Sequence, residues 1–465
     1  GSVGVGHHAQ IEKRSRPAAH FFAGSHAGES IVDIATHYDD ISQCNKCGFC
    51  QVACPIFRST GNESGVARGR LALLRAIIEG RLEWGLDIEA PLFDCLLCGA
   101  CTANCFPAIP TADLVLKARS AYLDKVGRKS IHRLLFDHLL PYPRRLHWAA
   151  RAVALGKNSG LSDVAQALGL LRIFGRNLPR ANEIVERFPN RAFRDKNKPG
   201  AYDGRGESLR VGYFVGCGVD VITQQAGNAT LQLLQNMAKE VHILDNCCCG
   251  LPAWSYGDMA AARRLAEKNL NMAAAKDLDV IVADCSSCAS FLKKYAILFP
   301  PGHKLHDRAV SVVTKVCDMV TLLFENQTQS TMDREPLTVT YHDPCHASRG
   351  QGIVKEPREV LKQLPGIVFK ELPEADWCCG GAGSYAVAHY ALSRQVLDRK
   401  MENLKKTGAN LLVSSCPACV IQLSFGVRRH GLNTRVCHIS ELVLSLTELR
   451  RLMGKEKVAP IRVFS

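Results

Sequence analysis

No continuous apolar run of about 18 residues occurs in the 465-residue chain, so a transmembrane helix is not expected. The opening residues, Gly1-Ser2-Val3-Gly4, lack a basic segment followed by an apolar stretch. They do not read as a secretion signal and look like an expression scar, which makes a cytoplasmic location the expectation. Low-complexity runs are few and charged residues make up 22 %, which excludes wholesale disorder. No convincing Gly-x-Gly-x-x-Gly turn joins a strand to a helix, so FAD or a nicotinamide is expected on a partner, not on this chain. No recognition motif accompanies the basic stretches, so no nucleic-acid partner is expected. The length suggests roughly three domains at about 150 residues each. At 47 % hydrophobic, the chain has enough apolar material for its cores without cross-links.

Against these absences stands one excess, 21 cysteines, an odd number that cannot all pair. In a compartment where thiols stay reduced, clustered cysteines more often bind metal. The first run is Cys44-x2-Cys47-x2-Cys50-x3-Cys54-Pro55, and the second is Cys95-x2-Cys98-x2-Cys101-x3-Cys105 with Pro107 just beyond. Three thiolates at spacing three wrap three corners of an iron-sulfur cube, and the fourth cysteine serves the other cluster in two-cluster ferredoxins. Cys44, Cys47, Cys50 and Cys105 are therefore expected to hold one [4Fe–4S] cluster, and Cys95, Cys98, Cys101 and Cys54 a second. Zinc sites more often use separated Cys-x2-Cys knuckles, so the doubled three-plus-one pattern fits them poorly. Between the runs, Leu71, Leu74, Ile77 and Ile78 recur at helical spacing up to Gly80, predicting a helix and an α-helical ferredoxin. Arg68 and Arg70 at its start are placed to donate hydrogen bonds toward a cluster, or else form a solvated basic helix start.

Residues 113–200 carry 18 Lys plus Arg against 7 Asp plus Glu, which is +11 of the chain's +14. Leu161 to Phe174 looks helical, and Arg191 to Gly200 looks like a linker. Such localised charge suits an acidic partner, an anionic membrane surface or simple solubility. The segment Pro141 to Trp148 mixes arginine with aromatics and could lie at such a surface.

Beyond residue 208 the sequence repeats. Cys217, Cys248-Cys249-Gly250 and Cys285-x2-Cys288 are matched by Cys345, Cys378-Cys379-Gly380 and Cys416-x2-Cys419, with intervals agreeing within two residues. Each set is a candidate metal site of five thiolates, one more than a cube needs. That surplus permits a non-cubane cluster or a spare thiol; zinc or buried reduced cysteines are the blander alternatives. Strand-like Arg210–Gly216, Val280–Ala283, Leu337–Pro344 and Leu411–Val413 each run into a cysteine. Helical stretches from Met259 to Ala275 and Tyr390 to Leu404 lie between them, so each copy reads as α/β with a mainly parallel sheet. Ligands on such sheets bind beyond the carboxyl ends of the strands, where the thiolates should converge. Cys247, Cys317 and Cys437 are left over and read as structural. His342 and His346 flank Cys345 and are expected to hydrogen-bond rather than ligate, because no histidine stands beside Cys217.

From residue 40 to about 445 the pattern resembles the cysteine-rich (CCG) domain family of the glycolate oxidase iron-sulfur subunit. Lactate-utilisation iron-sulfur proteins, heterodisulfide reductase subunits and a subunit of the anaerobic glycerol-3-phosphate dehydrogenase share it. The matching features are both ferredoxin runs, Arg68-Gly69-Arg70, Cys378-Cys379-Gly380-Gly381-Ala382-Gly383-Ser384-Tyr385 and the segment from Leu392 to Met401. The resemblance implies an iron-sulfur subunit passing electrons from a flavoprotein that oxidises glycolate or lactate to a quinone or other carrier. It also implies one or two further clusters in the CCG domains; the basic connector makes a peripheral place at the inner face of the membrane an alternative to a free cytoplasmic one. Both five-cysteine sets are complete, as in heterodisulfide reductases, whose non-cubane clusters perform disulfide chemistry. The expected architecture is α+β multidomain: a tail at 1–38, an α-helical ferredoxin-type domain at 39–112, a basic helical connector at 113–207, and duplicated CCG domains at 208–330 and 337–465.

Overall fold

The computed structural model describes residues 33–168, 179, 182–274, 276–326 and 336–453. The expected tail up to residue 32, and the expected helix from Leu161 beyond residue 168, lie outside the described residues; Leu161–Ala167 is helical.

The N-terminal unit is built from short helices around two cysteine loops. In the first loop Lys46 and Gly48 have φ of +54° and +89°; in the second Leu97 and Gly99 have +51° and +74°. The same two left-handed turns at the same positions curl each run around a point, and glycine at the second turn removes the Cβ penalty. The helix Ala67–Ile78 forms between them, buries Leu71 and Leu74, and ends before Gly80. Those side chains share a core with Ile41, Ile88, Leu92, Leu114 and Tyr122. The last two come from the helix Thr111–Val126, so the start of the expected connector is packed into the ferredoxin-type unit.

The connector continues in helices, chief among them Pro143–Asn158, with proline at its first position where a missing N–H costs nothing. The expected linker at 191–200 is anchored instead. Phe193–Lys196 is a short helix, Phe193 is buried against Tyr213, and Arg194 is buried in an ion pair with Asp220. The run of charges that looked like solvated linker hides one charge with a buried partner.

Nine strands follow among the described residues. β1 (Gly200–Asp203), β2 (Arg210–Tyr213), β3 (Glu240–Ile243), β4 (Val280–Ala283) and β5 (Val316–Asp318) form one sheet in the order β1-β3-β2-β4-β5. β6 (Leu337–Tyr341), β7 (Ile367–Phe369), β8 (Leu411–Ser414) and β9 (Arg435–His438) form the other in the order β7-β6-β8-β9. All pairings are parallel except β1 with β3. Removing β1 leaves two sheets of one topology, so the repeat read from cysteines extends to the whole α/β unit. Register makes the equivalence residue by residue: Tyr213 pairs with Val282 as Tyr341 pairs with Val413.

The two copies are fused. The helix Gln224–Met237 of the first packs on the helix Ile439–Met453 of the second, with Leu234 and Leu442 wholly buried and Thr230 Oγ1 donating to Ser440 Oγ at 2.9 Å. One apolar cluster runs from Val211 and Val241 through to Val413 and Leu446, crossing both copies. Each fully buried leucine contributes about 1.5–3 kcal/mol to that junction.

Candidate metal centres

In the ferredoxin-type unit, Cys44, Cys47, Cys50 and Cys105 line one pocket together with Arg68 and Leu71; Cys101 reaches its wall. Arg68 is held there by donating to the Lys46 carbonyl at 2.9 Å and to Glu63. Cys54 turns the other way. Burial pushes its thiol up, the Phe57 backbone opposes that, and Arg70, Cys95 and Cys98 are the charged neighbours that act on it. Cys101 in turn is raised by burial and by Cys95, Cys98 and Cys54. The fourth cysteine of each run therefore lies with the other run's triplet.

Buried cations surround the second group. Arg70 is 2 % exposed and donates through Nε to the Pro91 carbonyl. Burial opposes its charge, yet Cys95, Cys54 and Cys101 hold the guanidinium above its ordinary value, and its Nη2 has no hydrogen-bond partner among the described residues. Arg119 donates to the carbonyls of Leu92 and Cys95, while burial lowers it to about 10. An unpaired N–H and two buried positive charges beside four thiols suit an anionic group seated among them. Arg70 was legible from its place at the helix start. Arg119 was not, because nothing in the linear pattern ties it to residues 95–101.

The duplicated sets converge at the carboxyl ends of β2, β4, β6 and β8. Cys217 Sγ and Cys248 Sγ are 3.8 Å apart, and Cys379 Sγ and Cys419 Sγ 3.4 Å. Gly216 allows the approach, since a Cβ there would sit 3.3 Å from both Cys285 Cβ and Cys288 Sγ. The amides of Gly380 and Gly381 donate to Cys378 Sγ and Cys379 Sγ, each at 3.4 Å.

The thiols continue from one set into the next. The free thiol of Cys217 interacts with that of Cys248, Cys248 with Cys249, Cys249 with Cys288, and Cys288 with Cys285. Cys285 then meets Cys416 across the junction between the copies, and Cys416 leads through Cys419 and Cys379 to Cys378. The Cys378 thiol interacts with those of both Cys345 and Cys98, and Cys98 of the ferredoxin-type unit packs against the apolar cluster that contains Cys378. Contact with neighbouring sulfur together with burial drives Cys98, Cys217, Cys345 and Cys419 well up, while Cys248 and Cys288 pull Cys249 down to about 5. Buried thiols this close compete for protons, and a metal relieves the competition by taking them as thiolates.

The ferredoxin-type unit is pinned at that contact. Tyr385 Oη donates to the Asp94 carbonyl at 2.9 Å, His389 pairs with Asp94, and Arg349 donates to Asp376 and, at 3.4 Å, to the Cys98 carbonyl. Arg349 follows Cys345 by one helical turn, a spacing that could have drawn attention to it.

The leftover cysteines lie apart from this line. Cys247 donates to Asn269 Oδ1 at 3.3 Å, and burial pushes it up to about 11. Cys317 in β5 and Cys437 in β9 pair with Val282 and Val413, so they are themselves equivalent in the repeat. Unequal helix lengths before the two strands hid that match in the sequence. His346 hydrogen-bonds Ser287 Oγ at 2.9 Å, as expected. His342 does not follow the expectation: neither ring nitrogen has a hydrogen-bond partner among the described residues.

Among the described residues no helix is long and apolar enough to cross a membrane. Of the connector's 18 basic residues, Arg119, Arg128 with Asp137 and Asp258, and Arg194 with Asp220 are engaged internally. Trp148 remains 70 % exposed with Arg151 over its ring, and Arg145 stacks on Tyr142.

Comparison with known proteins matches residues 40–109 to a 4Fe-4S dicluster domain model and residues 211–293 and 339–424 to a cysteine-rich domain model. Residues 127–185 match the linker region of the glycolate oxidase iron-sulfur subunit. A probable glycolate oxidase iron-sulfur subunit of Bacillus subtilis is 31 % identical over 417 residues, covering 87 % of this chain and 94 % of that protein. Lactate utilization protein A of Bacillus subtilis is 29 % identical over 51 % of this chain and all of its own length. A fumarate reductase (CoM/CoB) polypeptide of Methanothermobacter marburgensis is 30 % identical over 52 % of this chain and 47 % of its own. With the two-run helical unit, the linker and the duplicated cysteine-rich sheets all present, the chain belongs to the glycolate oxidase iron-sulfur subunit family and is an oxidoreductase-associated iron-sulfur electron-transfer subunit.

Proposed function

We propose that this protein takes electrons from a partner flavoprotein that oxidises glycolate or lactate and conducts them through its cysteine sites to an acceptor. The observation that carries this reading is the continuous line of thiols from Cys98 through Cys378, Cys379, Cys416 and Cys285 to Cys217. When bound, iron-sulfur clusters supply one-electron centres whose potential is tuned by charge, hydrogen bonds and exposure. Cys44, Cys47, Cys50 and Cys105 would hold one [4Fe–4S] cluster, and Cys95, Cys98, Cys101 and Cys54 the other. Cys217, Cys248, Cys249, Cys285 and Cys288 would hold a third group, and Cys345, Cys378, Cys379, Cys416 and Cys419 a fourth. Five thiolates in each make a non-cubane cluster the natural fit. Arg70 and Arg119 offset the negative charge of the second site, and the surrounding apolar side chains exclude water from it.

Anaerobic purification from the native host, with iron, sulfide and flavin counted, tests the reading. About sixteen iron atoms per chain and a co-purifying flavoprotein are expected. About eight would mean that the duplicated sets hold no iron. Arg70→Gln is expected to lower the midpoint potential of the second ferredoxin site, because a cation stabilises the reduced, more negative state. A charge-assisted contact of about 1.5–3 kcal/mol corresponds to roughly 60–130 mV for one electron, read by redox titration.

Two further features bear on partners. Exposed Trp148, with Arg144 and Arg145, would dock an acidic carrier or an anionic membrane surface near a quinone. Retention on anionic vesicles that is abolished by Arg144→Gln with Arg145→Gln is the check. The direct Cys285–Cys416 contact also favours a second reading, in which the facing sets reduce a disulfide to two thiols with two electrons and two protons. Heterodisulfide reduction by the purified chain with an artificial donor and no flavoprotein would support it.

A further inference from the structure

The two cysteine-rich copies are equivalent in backbone but unlike in what they place against the thiols. The Phe214 amide donates to the Val282 carbonyl at 2.8 Å, and the His342 amide donates to the Val413 carbonyl at 2.9 Å. Both residues lie one position past paired tyrosines, Tyr213 and Tyr341, whose hydroxyls reach Asp284 and Ser415 at equivalent positions before Cys285 and Cys416. Phe214 and His342 are thus the same site in the repeat. In the first copy the site is filled by an apolar ring, 2 % exposed. In the second it is filled by an imidazole, 1 % exposed, with no hydrogen bond of ordinary geometry at either nitrogen among the described residues and the Ala375 backbone as the hydrogen-bonding group that acts on the ring.

Burying an imidazole in that state leaves at least one ring nitrogen unmet, at about 1–3 kcal/mol. A side chain kept there for packing would be apolar, as its counterpart is. The imidazole has metal-ligand company instead: a His342 nitrogen, Cys379 Sγ and Cys419 Sγ all lie within 4.8 Å of one another. Two thiolates and an imidazole at that separation fit the coordination of a single metal ion, whose ligand atoms stand about 3.5 Å apart in a tetrahedron with bonds of about 2.0–2.3 Å. No histidine approaches the first set in this way among the described residues.

A second difference runs in parallel. Asn269, on the helix Met259–Ala274, bonds the Cys247 amide and the Cys248 carbonyl beside the first set. On the matching helix Tyr390–Thr407, Lys400 is fully buried with Nζ donating to the carbonyls of Glu374 and Ala375, and it feels the charges of Cys379 and Cys378. The second set thus has an imidazole and a buried ammonium where the first has an apolar ring and an asparagine.

We propose that His342 is a nitrogen ligand of the iron held by the second cysteine-rich set, so that the duplicated sites carry chemically different centres, one all-thiolate and one mixed. This deepens the electron-transfer reading and rests on it. Where a neutral imidazole takes a coordination position on iron that a thiolate holds in the first centre, leaving one of the five second-set cysteines off the metal, the potential rises, as in Rieske sites. The second centre is therefore the more easily reduced of the pair, and it is also the one in contact with Cys98.

The test uses the full chain, reconstituted anaerobically with iron and sulfide and labelled with 15N-histidine. Pulsed EPR is recorded at potentials stepped through the range of all its centres. Wild type is expected to show strong 15N coupling that disappears in His342→Phe, the first copy's residue, and persists in His346→Gln. The centre of the second set is expected to move to lower potential in His342→Phe, while the ferredoxin signals stay in place. The iron lost in Cys379→Ser reports how much the second set holds. Iron present there without histidine coupling, or coupling unchanged in His342→Phe, would overturn the ligand assignment and leave the electron-transfer reading standing. Zinc or no metal in the second set would overturn both.

Discussion

Serine at position 54 is expected to remove about four iron atoms from the site of the second cysteine run and to leave the site of the first run filled, although Cys54 belongs to the first. Cys105→Ser should do the reverse. The exchange follows from where the chain goes after each triplet. Past Cys50 the helix Phe49–Ala53 ends and Cys54 turns into an apolar cluster with Ile56, Leu96, Cys378 and Tyr385, against which Cys98 of the second run packs. Past Cys101 the helix Ala100–Ala103 returns Cys105 to the pocket of Cys44, Cys47 and Cys50. Cys44→Ser and Cys95→Ser supply the reference EPR spectra: Cys54→Ser should match Cys95→Ser, and Cys105→Ser should match Cys44→Ser. If each variant instead matched its own run, the assignment of the fourth ligands would be wrong. Cys54→Ser carries a further expectation. Its pocket is shared with Cys378, so loss of the second-run site should also slow reduction of the duplicated sets when electrons enter from the ferredoxin end.

What could be read from the sequence divides along the range of the interactions involved. Both cysteine runs, the helix Ala67–Ile78, the strands that end in Cys217, Cys285, Cys345 and Cys416, and the repeat itself were legible. Each is written in spacing over a few residues or in intervals that survive duplication. The α/β order of the second half followed from the same rhythm. What was hidden depends on contacts between distant segments. Arg194 lies in a stretch of charges typical of a loop, and only Asp220, 26 residues on, explains its burial. Arg119 reads as one basic residue of a helix, and its bonds to Leu92 and Cys95 follow from packing. The match of Cys317 with Cys437 was obscured by unequal intervals and emerges only from strand register. His342 was visible as a residue near Cys345. Its equivalence with Phe214, which gives it meaning, needed the two sheets superimposed in register.

Asp220→Ala is expected to cost about 3–5 kcal/mol of stability, the usual penalty for stripping the partner from a buried charge. Asp220 is fully buried and accepts from the Arg194 amide at 3.0 Å, from Arg194 Nε at 2.9 Å and Nη2 at 2.7 Å, and hydrogen-bonds His147 Nε2 at 2.7 Å. Arg194 Nη1 donates onward to the Asn246 carbonyl at 2.7 Å, and Asn246 ties Val215 to the loop of Cys247. The network therefore braces both ends of the first cysteine-rich set, Cys217 on the helix Cys217–Val221 and Cys248-Cys249 on the loop after β3. A urea titration should show a lowered midpoint, and iron in the first set should be lost before iron elsewhere. Pairing the change with Arg194→Met removes the stranded guanidinium and should recover a large part of the loss, which a simple cavity at position 220 would not allow. The pH dependence has a definite sign. Burial opposes the Asp220 charge, but the His147 hydrogen bond and Arg194 outweigh it and hold the carboxyl below its ordinary value. A depressed folded pKa contributes stability that is present above the unfolded value of about 3.9 and disappears as pH falls through the folded one. The difference between wild type and Asp220→Asn should accordingly be largest near neutral pH and shrink in acid; a difference that grew in acid would contradict the ion-paired state.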